Sequence, residues 1–366
     1  MNKTLQELMR TATRMTPSGR LNEATQAIQR ALRDTAAKLG PANPWAGAGS
    51  YLVPDSGTGE FISGTHTHAS LTSRFKLYLP PGHVGKQLPL VVMLHGCTQD
   101  PDDFAAGTAM NERAREQGFF VLYPQQSPDA NPSRCWNWFD HKHQERGRGE
   151  PALIASLTQA VIKQHDMDAH RVYIAGLSAG GAMAVIVAAA YPELFAAVGV
   201  HSGLPSGAAS NVAEALMVMK SGHVGIVERA WGGGADAAAK ALLQPQTPMP
   251  TIVFHGDQDQ TVHPRNGEQV IAAALGAAAA AQDSHARPSG GARVEQGVSA
   301  QGRRYTRSTQ HGDQGQVLTE HWLVHGAGHA WSGGHASGSY TDASGPDATQ
   351  EMLRFFFDHP KTRGDI

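Results

Sequence analysis

The sequence has few cysteines and little net charge, and it lacks a long apolar run. Only Cys97 and Cys135 occur among 366 residues, so a disulfide scaffold is excluded and a hydrophobic core must hold the fold. Thirty basic against 32 acidic side chains give a formal charge of -2, which gives no general reason to bind nucleic acid or an anionic membrane. The longest apolar run, residues 182–191, is about half of what a membrane-spanning helix needs.

The beginning of the chain also lacks a secretory signal as written. Basic residues are scattered through the first thirty positions, without a continuous apolar segment or a small-residue cleavage site. The sequence therefore predicts a cytoplasmic protein, with a secreted or periplasmic location as the alternative if a leader has been removed. Apolar residues at helical spacing predict a helical arm over residues 1–45, which we expect to pack on the main body or to form a homodimer contact.

Residues 46–366 predict a single catalytic domain in which buried strands alternate with helices. Strands are expected at 73–79 (an edge strand), 88–94, 119–123, 171–175, 195–200, 251–255 and 322–325, and helices at 103–117, 151–165, 182–190 and 347–357. This order requires right-handed crossovers, so the sequence predicts an α/β fold with a doubly wound, mostly parallel sheet and helices on both faces. Two segments interrupt it: an aromatic-rich loop over 124–150 and a low-complexity surface insert over 276–301.

One serine stands where a catalytic nucleophile is expected. The letters GLSAG, residues 176–180, form the only GxSxG pattern in the chain, directly after an apolar strand and before an apolar helix. A serine on such a strand-to-helix turn is exposed at the edge of the sheet, and the helix amides behind it favour negative charge on its oxygen. The position therefore predicts Ser178 as the nucleophile.

A serine nucleophile needs a histidine to take its proton and an acid to orient that histidine. Asp259 follows the strand over 251–255 and lies further into its turn than Asp257, so we predict Asp259 as the acid and Asp257 as a supporting residue. His329 lies in a glycine-rich loop after the strand over 322–325, and it is the predicted base.

The tetrahedral intermediate also needs amide donors for its oxyanion. One is expected from the residue after the nucleophile, Ala179, and the other from the turn after the strand over 88–94, where the amide of Cys97 is the candidate. In this role the Cys97 side chain is incidental. A bridge between Cys97 and Cys135 stays open at this point.

Five ordered motifs resemble those of the polyhydroxybutyrate depolymerase family of esterases. They are LHGCTQ, CWNWF, GLSAGG, HGDQD and a GxGHAWSGG-like segment, and the resemblance covers roughly residues 70–358. It implies the α/β-hydrolase fold and an esterase with Ser178, Asp259 and His329 as its triad. The chain ends at Ile366 without room for a polymer-binding module, which favours oligomers, amorphous polymer or small esters as substrates.

Aromatic residues lie close to the predicted site in the sequence. Trp136, Trp138 and Phe139 lie in the loop over 124–150, and Trp331 follows the predicted base by two positions. They are candidates for an apolar wall against an acyl chain. For the three loop residues, anchoring the loop in the core is an equally good interpretation.

The sequence thus predicts a serine hydrolase of polyhydroxyalkanoate-type polyester or its oligomers. Alternatives are a poly(aspartic acid) hydrolase, a feruloyl or acetylxylan esterase and, least favoured, a non-catalytic binding module. Five arginines are candidates for binding a polyanion: Arg146, Arg148, Arg265, Arg303 and Arg304. No cofactor is needed for this chemistry, and the histidine pairs at 66/68 and 141/143 are expected to be solvated loop residues rather than metal ligands.

Overall fold

The computed structural model describes residues 57–222, 248–280 and 290–361, with side chains of the second range described as far as residue 277. The predicted arm over residues 1–45 lies outside the described residues, and so does the part of the predicted insert between positions 281 and 289. No helix among the described residues is long and apolar enough to cross a bilayer.

Ten strands of the described chain form one central sheet. They are β1 Glu60–His68, β2 Leu71–Leu79, β3 Leu90–Leu94, β4 Phe120–Gln125, β5 Val172–Leu177, β6 Ala197–His201, β7 Thr251–Gly256, β8 Arg293–Val298, β9 Arg304–His311 and β10 Val317–Val324. Their spatial order is β1-β2-β4-β3-β5-β6-β7-β10-β9-β8. The six strands from β4 to β10 in this order are parallel, whereas the outer strands pair antiparallel. A short parallel pair, β11 Trp331–Ser332 and β12 Thr341–Asp342, lies apart from this sheet.

Helices cover both faces of the sheet. They are α1 Pro101–Thr108, α2 Met110–Gln117, α3 Gly149–His165, α4 Ala179–Ala190, α5 Val212–Ser221, α6 Arg265–Ala280 and α7 Ala348–Phe357. Alternate residues of β3 contribute to different cores: Leu90 and Val92 to a core with α3 and α4, and Val91 and Met93 to a core with α1, α2 and α7. The continuous apolar run of β3 follows from this burial on two sides.

Several elements differ from the sequence expectations. The edge strand is β1, and β2 lies inside it, so the predicted edge position of residues 73–79 is wrong. The predicted insert over 276–301 contains regular structure, because α6 continues to Ala280 and β8 forms the opposite edge. The helix expected over 103–117 is two helices, divided at Ala109, whose φ of 50° is left-handed. His66 and His68 lie on β1 and not in a loop.

Candidate active site

Ser178 occupies a sharp turn between β5 and α4. Its backbone has φ 58° and ψ -120°, a strained conformation for a residue with a side chain. The amide of Ser178 donates to the carbonyl of His201 over 2.8 Å, which anchors the turn to the neighbouring strand β6. A functional site is a common reason for such strain, and here it places a hydroxyl at the carboxyl edge of the sheet.

The glycines on both sides of the turn are required by close backbone packing. A Cβ at Gly180 would collide with the carbonyl oxygen of Leu94 on β3, and a Cβ at Gly176 would collide with the backbone of Gly180. The GxSxG pattern therefore reflects the close approach of α4 to β3 and β5, and not a tolerance for any small loop residue.

The structure places His329 against Asp259. The Nδ1 atom of His329 lies 2.7 Å from Oδ2 of Asp259, in the geometry of an imidazole that donates to a carboxylate. Asp259 follows β7 and His329 follows β10, and these two strands are parallel neighbours. Asp257 lies beside a different histidine, with its Oδ2 3.0 Å from Nδ1 of His325. All three predicted triad residues thus follow strands at one edge of the sheet, although no hydrogen bond joins Ser178 Oγ to His329 among the described contacts.

Asp259 is held as an ionised group. Its Oδ1 accepts the amides of Thr261 and Val262, both at 2.8 Å. Burial would raise the pKa of Asp259, but the charge of His329 and the hydrogen bonds from His255 and His329 outweigh burial and hold the pKa well below its usual value. His255 is fully buried, and its Nε2 donates to the carbonyl of Val262 at 2.9 Å and lies 3.4 Å from Asp259 Oδ2.

A second buried histidine supports the loop that carries the base. His201 ends β6, and its Nε2 accepts the amide of Ser332 at 2.9 Å, three residues after His329. Burial lowers the pKa of His201 to about 3, and the nearby His255 and His329 add to this effect. His201 is not among the residues predicted from the sequence, although its place at the carboxyl end of a strand next to β5 is a usable signal.

The turn after β3 presents an amide without a protein acceptor. On either side of Cys97, the amide of Gly96 donates to Gln99 Oε1 at 3.0 Å and that of Thr98 donates to the carbonyl of Ser133 at 2.7 Å. Within the described chain, the Cys97 amide has no such partner. Ala179 is the first residue of α4, where helix amides are also unsatisfied. Within the described chain both predicted oxyanion donors thus lack a protein acceptor, and Gln99 supports the turn without having been a candidate from the sequence.

A disulfide joins Cys97 to Cys135. The side chain of Cys97 is therefore not incidental, because it ties the turn after β3 to the aromatic loop. Trp136 strengthens this connection by donating from Nε1 to the carbonyl of His95 at 3.1 Å. The loop over 124–150 thus packs directly on the candidate oxyanion turn.

Most of the aromatic candidates are buried. Trp136 and Trp138 are 1% and 4% exposed and belong to the main core, so they anchor the loop. Trp331 is 1% exposed, stacks on His201 with ring centroids 5.2 Å apart and donates to Thr349 Oγ1 at 3.0 Å. Its predicted place in the pocket wall is therefore wrong. Of the four, only Phe139 is half-buried.

This combination of a mixed sheet, a strained serine turn and a histidine–carboxylate pair at the same edge defines an α/β-hydrolase. A solved acetyl xylan esterase from Aspergillus awamori has the same fold, with a TM-score of 0.55 at 20% identity over 78% of this chain and 94% of that one. The family model for esterase PHB depolymerase matches residues 73–297. The chain belongs to the esterase PHB depolymerase family.

Curated relatives match about half of the chain and about half of their own length. A poly(3-hydroxyalkanoate) depolymerase C from Paucimonas lemoignei is 34% identical over 211 residues, which is 57% of this chain and 49% of that protein. A probable acetylxylan esterase A from Aspergillus fumigatus is 31% identical over 191 residues, which is 51% of this chain and 50% of that protein.

Proposed function

We propose that the protein is a serine hydrolase that cleaves carboxylic esters through an acyl-enzyme. The observation that carries this proposal is the His329–Asp259 hydrogen bond at the sheet edge where Ser178 occupies its strained turn. In a family of esterases, this arrangement provides a nucleophile, a general base and an orienting carboxylate.

In the proposed reaction, His329 takes the proton of Ser178 as Oγ attacks the ester carbonyl carbon. The amides of Cys97 and Ala179 donate to the oxyanion, and Asp259 keeps the proton on Nδ1 so that Nε2 is the basic atom. The carbon–oxygen bond to the alcohol then breaks, and His329 protonates the leaving alkoxide. Water deprotonated by the same histidine releases the acid and restores Ser178. The contact between Oγ and Nε2 forms when substrate binds, as is common for sites without ligand.

We propose polyhydroxyalkanoate-type polyester or its oligomers as the substrate. Support comes from the family and from the relative named as a poly(3-hydroxyalkanoate) depolymerase. The relative named as an acetylxylan esterase supports a carbohydrate ester as the second candidate. Poly(aspartic acid) hydrolysis is the third, and a homodimer stays a proposal that depends on residues 1–45.

The disulfide between Cys97 and Cys135 indicates the cellular compartment in which the protein works. Disulfides form and persist in oxidising compartments and are rare in the cytosol. The Cys97–Cys135 bridge therefore supports a secreted or periplasmic protein over the cytoplasmic one expected from the first thirty residues.

The test compares wild type with Ser178→Ala on four substrates: a 3-hydroxybutyrate trimer, a short p-nitrophenyl ester, acetylated xylo-oligosaccharide and poly(aspartic acid). Products are read by mass spectrometry. We expect trimer cleavage by wild type alone, with the acyl mass on Ser178 when the reaction is quenched early. Equal activity of the two proteins would contradict the nucleophile. If wild type cleaved the acetylated oligosaccharide and left the trimer intact, a carbohydrate ester would replace the polyester as the proposed substrate.

A further inference from the structure

A polar cavity of about 560 Å³ lies against the turn that precedes Asp259 and the loop that precedes His329. Its walls come from the turn after β7, the loop after β10 and the turn between β8 and β9. The side chains that line it include Asp257, Gln258, Gln301, Arg303, Arg304 and His325. Its volume falls in the range of small-molecule sites, and its lining is suited to a polar group rather than an acyl chain.

The cavity shares two of its walls with the triad. Gln258 lies directly before Asp259, and its amide donates to the carbonyl of Ala327 at 3.0 Å, which ties the acid turn to the base loop. Gly326, on the other wall, precedes His329 by three residues, so their Cα atoms are at most about 11 Å apart. The cavity is therefore walled by the same two loops that carry the predicted acid and the predicted base.

Most charges in the cavity wall are already paired. Asp257 accepts the amide of Gly326 at 2.7 Å and contacts His325, while the Nε2 of His325 lies 2.8 Å from the hydroxyl of Thr306. Arg303 faces Asp342 at 3.0 Å and donates to the carbonyl of Gly326 at 3.1 Å. These contacts fix the wall and give each oxygen of the Asp257 carboxylate a donor. Burial would raise the pKa of Asp257, but the hydrogen bonds from His325 and Gly326 outweigh burial and lower the pKa, so the carboxylate is ionised.

The side chains of Thr306, His325 and Asp257 are hydrogen-bonded in the order of a nucleophilic triad, but they lack the surroundings of one. Thr306 lies inside the antiparallel strand β9, opposite Leu323 of β10. It has neither a strand-to-helix turn nor the amides of a helix N-terminus to receive an oxyanion. These three side chains therefore orient the wall of the cavity and do not form a second catalytic centre.

Arg304 is the cavity's remaining charge. It is exposed, and within the described residues it has no carboxylate partner. Two other arginines suggested by the sequence are paired elsewhere: Arg146 with Glu193 at 2.5 Å and Arg148 with Glu145 at 3.1 Å. A guanidinium binds a carboxylate through two parallel hydrogen bonds, and Gln301, whose side chain carries an amide donor, lines the same cavity.

We propose that this cavity binds a carboxylate of the substrate, with Arg304 as its direct ligand. This proposal rests on the proposed esterase function and refines it, because it gives the site a preference for acidic substrates. The carboxylate has two possible sources of the same chemistry: the acid end of a hydroxyacid oligomer, or the side chains of poly(aspartic acid).

The test compares the free acid of the 3-hydroxybutyrate trimer with its methyl ester. In wild type, we expect kcat/KM to be higher for the acid than for the ester at low ionic strength. Arg304→Gln should lower the acid-to-ester ratio about fivefold, in line with a partly exposed ion pair, and Arg304→Lys should lower it less. The matched control is Arg293→Gln, which removes the same charge from the other end of the β8–β9 hairpin, where Arg293 faces Glu295 at 2.7 Å.

A binding measurement separates this proposal from the proposed function. In a Ser178→Ala background, the dissociation constants of acid, methyl ester and a short poly(aspartic acid) are compared with and without Arg304→Gln by calorimetry. If Arg304→Gln reduces the preference for the trimer acid over its methyl ester, the cavity binds the acid end of an oligomer. If Arg304→Gln weakens the binding of poly(aspartic acid) alone, the cavity binds side-chain carboxylates. Unchanged binding of both overturns the carboxylate site. Failure of wild type to cleave any ester would overturn the esterase function and leave this binding result intact.

Discussion

The disulfide between Cys97 and Cys135 fastens the candidate oxyanion turn to the aromatic loop. Around it, the Thr98 amide donates to the carbonyl of Ser133 and Trp136 donates to the carbonyl of His95. The turn that must present the Cys97 amide is thus held by a covalent bond and two hydrogen bonds to the same loop. The loop therefore supports the candidate oxyanion turn, even though its tryptophans are buried.

Removing the disulfide should lower both stability and activity. The two cysteines are 38 residues apart, and the loss of a cross-link over such a loop costs about 3–4 kcal/mol of unfolding free energy through the entropy of the unfolded chain. We expect the double variant Cys97→Ala/Cys135→Ala to show this loss in urea unfolding. Its kcat for a p-nitrophenyl ester should fall more than its KM rises, since the oxyanion amide loses its support.

The single variant Cys135→Ala is a control for the free thiol, and wild type in reductant is a control for the substitutions. Both should approach the double variant in stability. If the double variant unfolded at the same urea midpoint as oxidised wild type, this would show that the bridge does not hold the turn.

The two aspartates after β7 should differ sharply in their effect on catalysis. Asp259→Asn replaces the carboxylate at 2.7 Å from His329 Nδ1, so the imidazole loses its orienting charge and its correct tautomer. We expect kcat to fall by about three to four orders of magnitude. Asp257→Asn is the matched control, because it removes a carboxylate two residues away that contacts His325, and it should cost less than about tenfold. Comparable losses in both variants would contradict the assignment of the acid.

The places of the three candidate triad residues in the fold could be predicted from the sequence because these residues follow strands in a fixed order. Ser178, Asp259 and His329 each lie just beyond an apolar run, and parallel strands bring such positions to one edge of the sheet. The role of Trp331 could not be predicted in this way. Its ring stacks on His201 and donates to Thr349, and neither contact has a signal in local spacing.

The outer strands were the hardest part of the fold to predict. β1 alternates exposed and half-buried residues and β8 is mostly exposed, so neither has the apolar pattern of the central strands. Their place in the sheet follows from pairing with β2 and β9, which depends on long-range register. The sequence offers Arg304 as a candidate for binding a polyanion, but the cavity around it could not be predicted, since it forms only where the β8–β9 turn meets the loop after β10.

Trp331 and Phe139 should respond in opposite ways to truncation. Trp331 is 1% exposed, so Trp331→Ala should leave a cavity in the core and lower the unfolding free energy by about 3–5 kcal/mol. Phe139 is half-buried at the edge of the core, with its ring 5.6 Å from that of Trp138. Phe139→Ala should destabilise much less and should raise KM for long acyl esters more than for an acetyl ester. A larger stability loss for Phe139→Ala than for Trp331→Ala would contradict both assignments.

Protonation of His201 should destabilise the protein as the pH falls. Its Nε2 accepts the amide of Ser332, so an added proton at Nε2 would face an N–H group, and burial together with His255 and His329 lowers the pKa to about 3. In the unfolded chain the pKa is about 6.5, so the unfolded state binds more protons between these two values. The contribution to stability is complete above about pH 6.5 and is lost as the pH falls toward 3.

The slope of unfolding free energy against pH measures this effect. Between pH 4.5 and 6, His201 should contribute about 1 kcal/mol per pH unit. His201→Gln keeps an acceptor for the Ser332 amide and does not titrate, so its slope should be shallower by that amount even if its absolute stability is lower. The exposed His141 provides the control, and His141→Gln should keep the slope of wild type. Because the Ser332 amide follows His329 by three residues, His201→Gln should also lower kcat. If His201→Gln changed neither the slope nor kcat, His201 would neither stay neutral nor support the loop that carries His329.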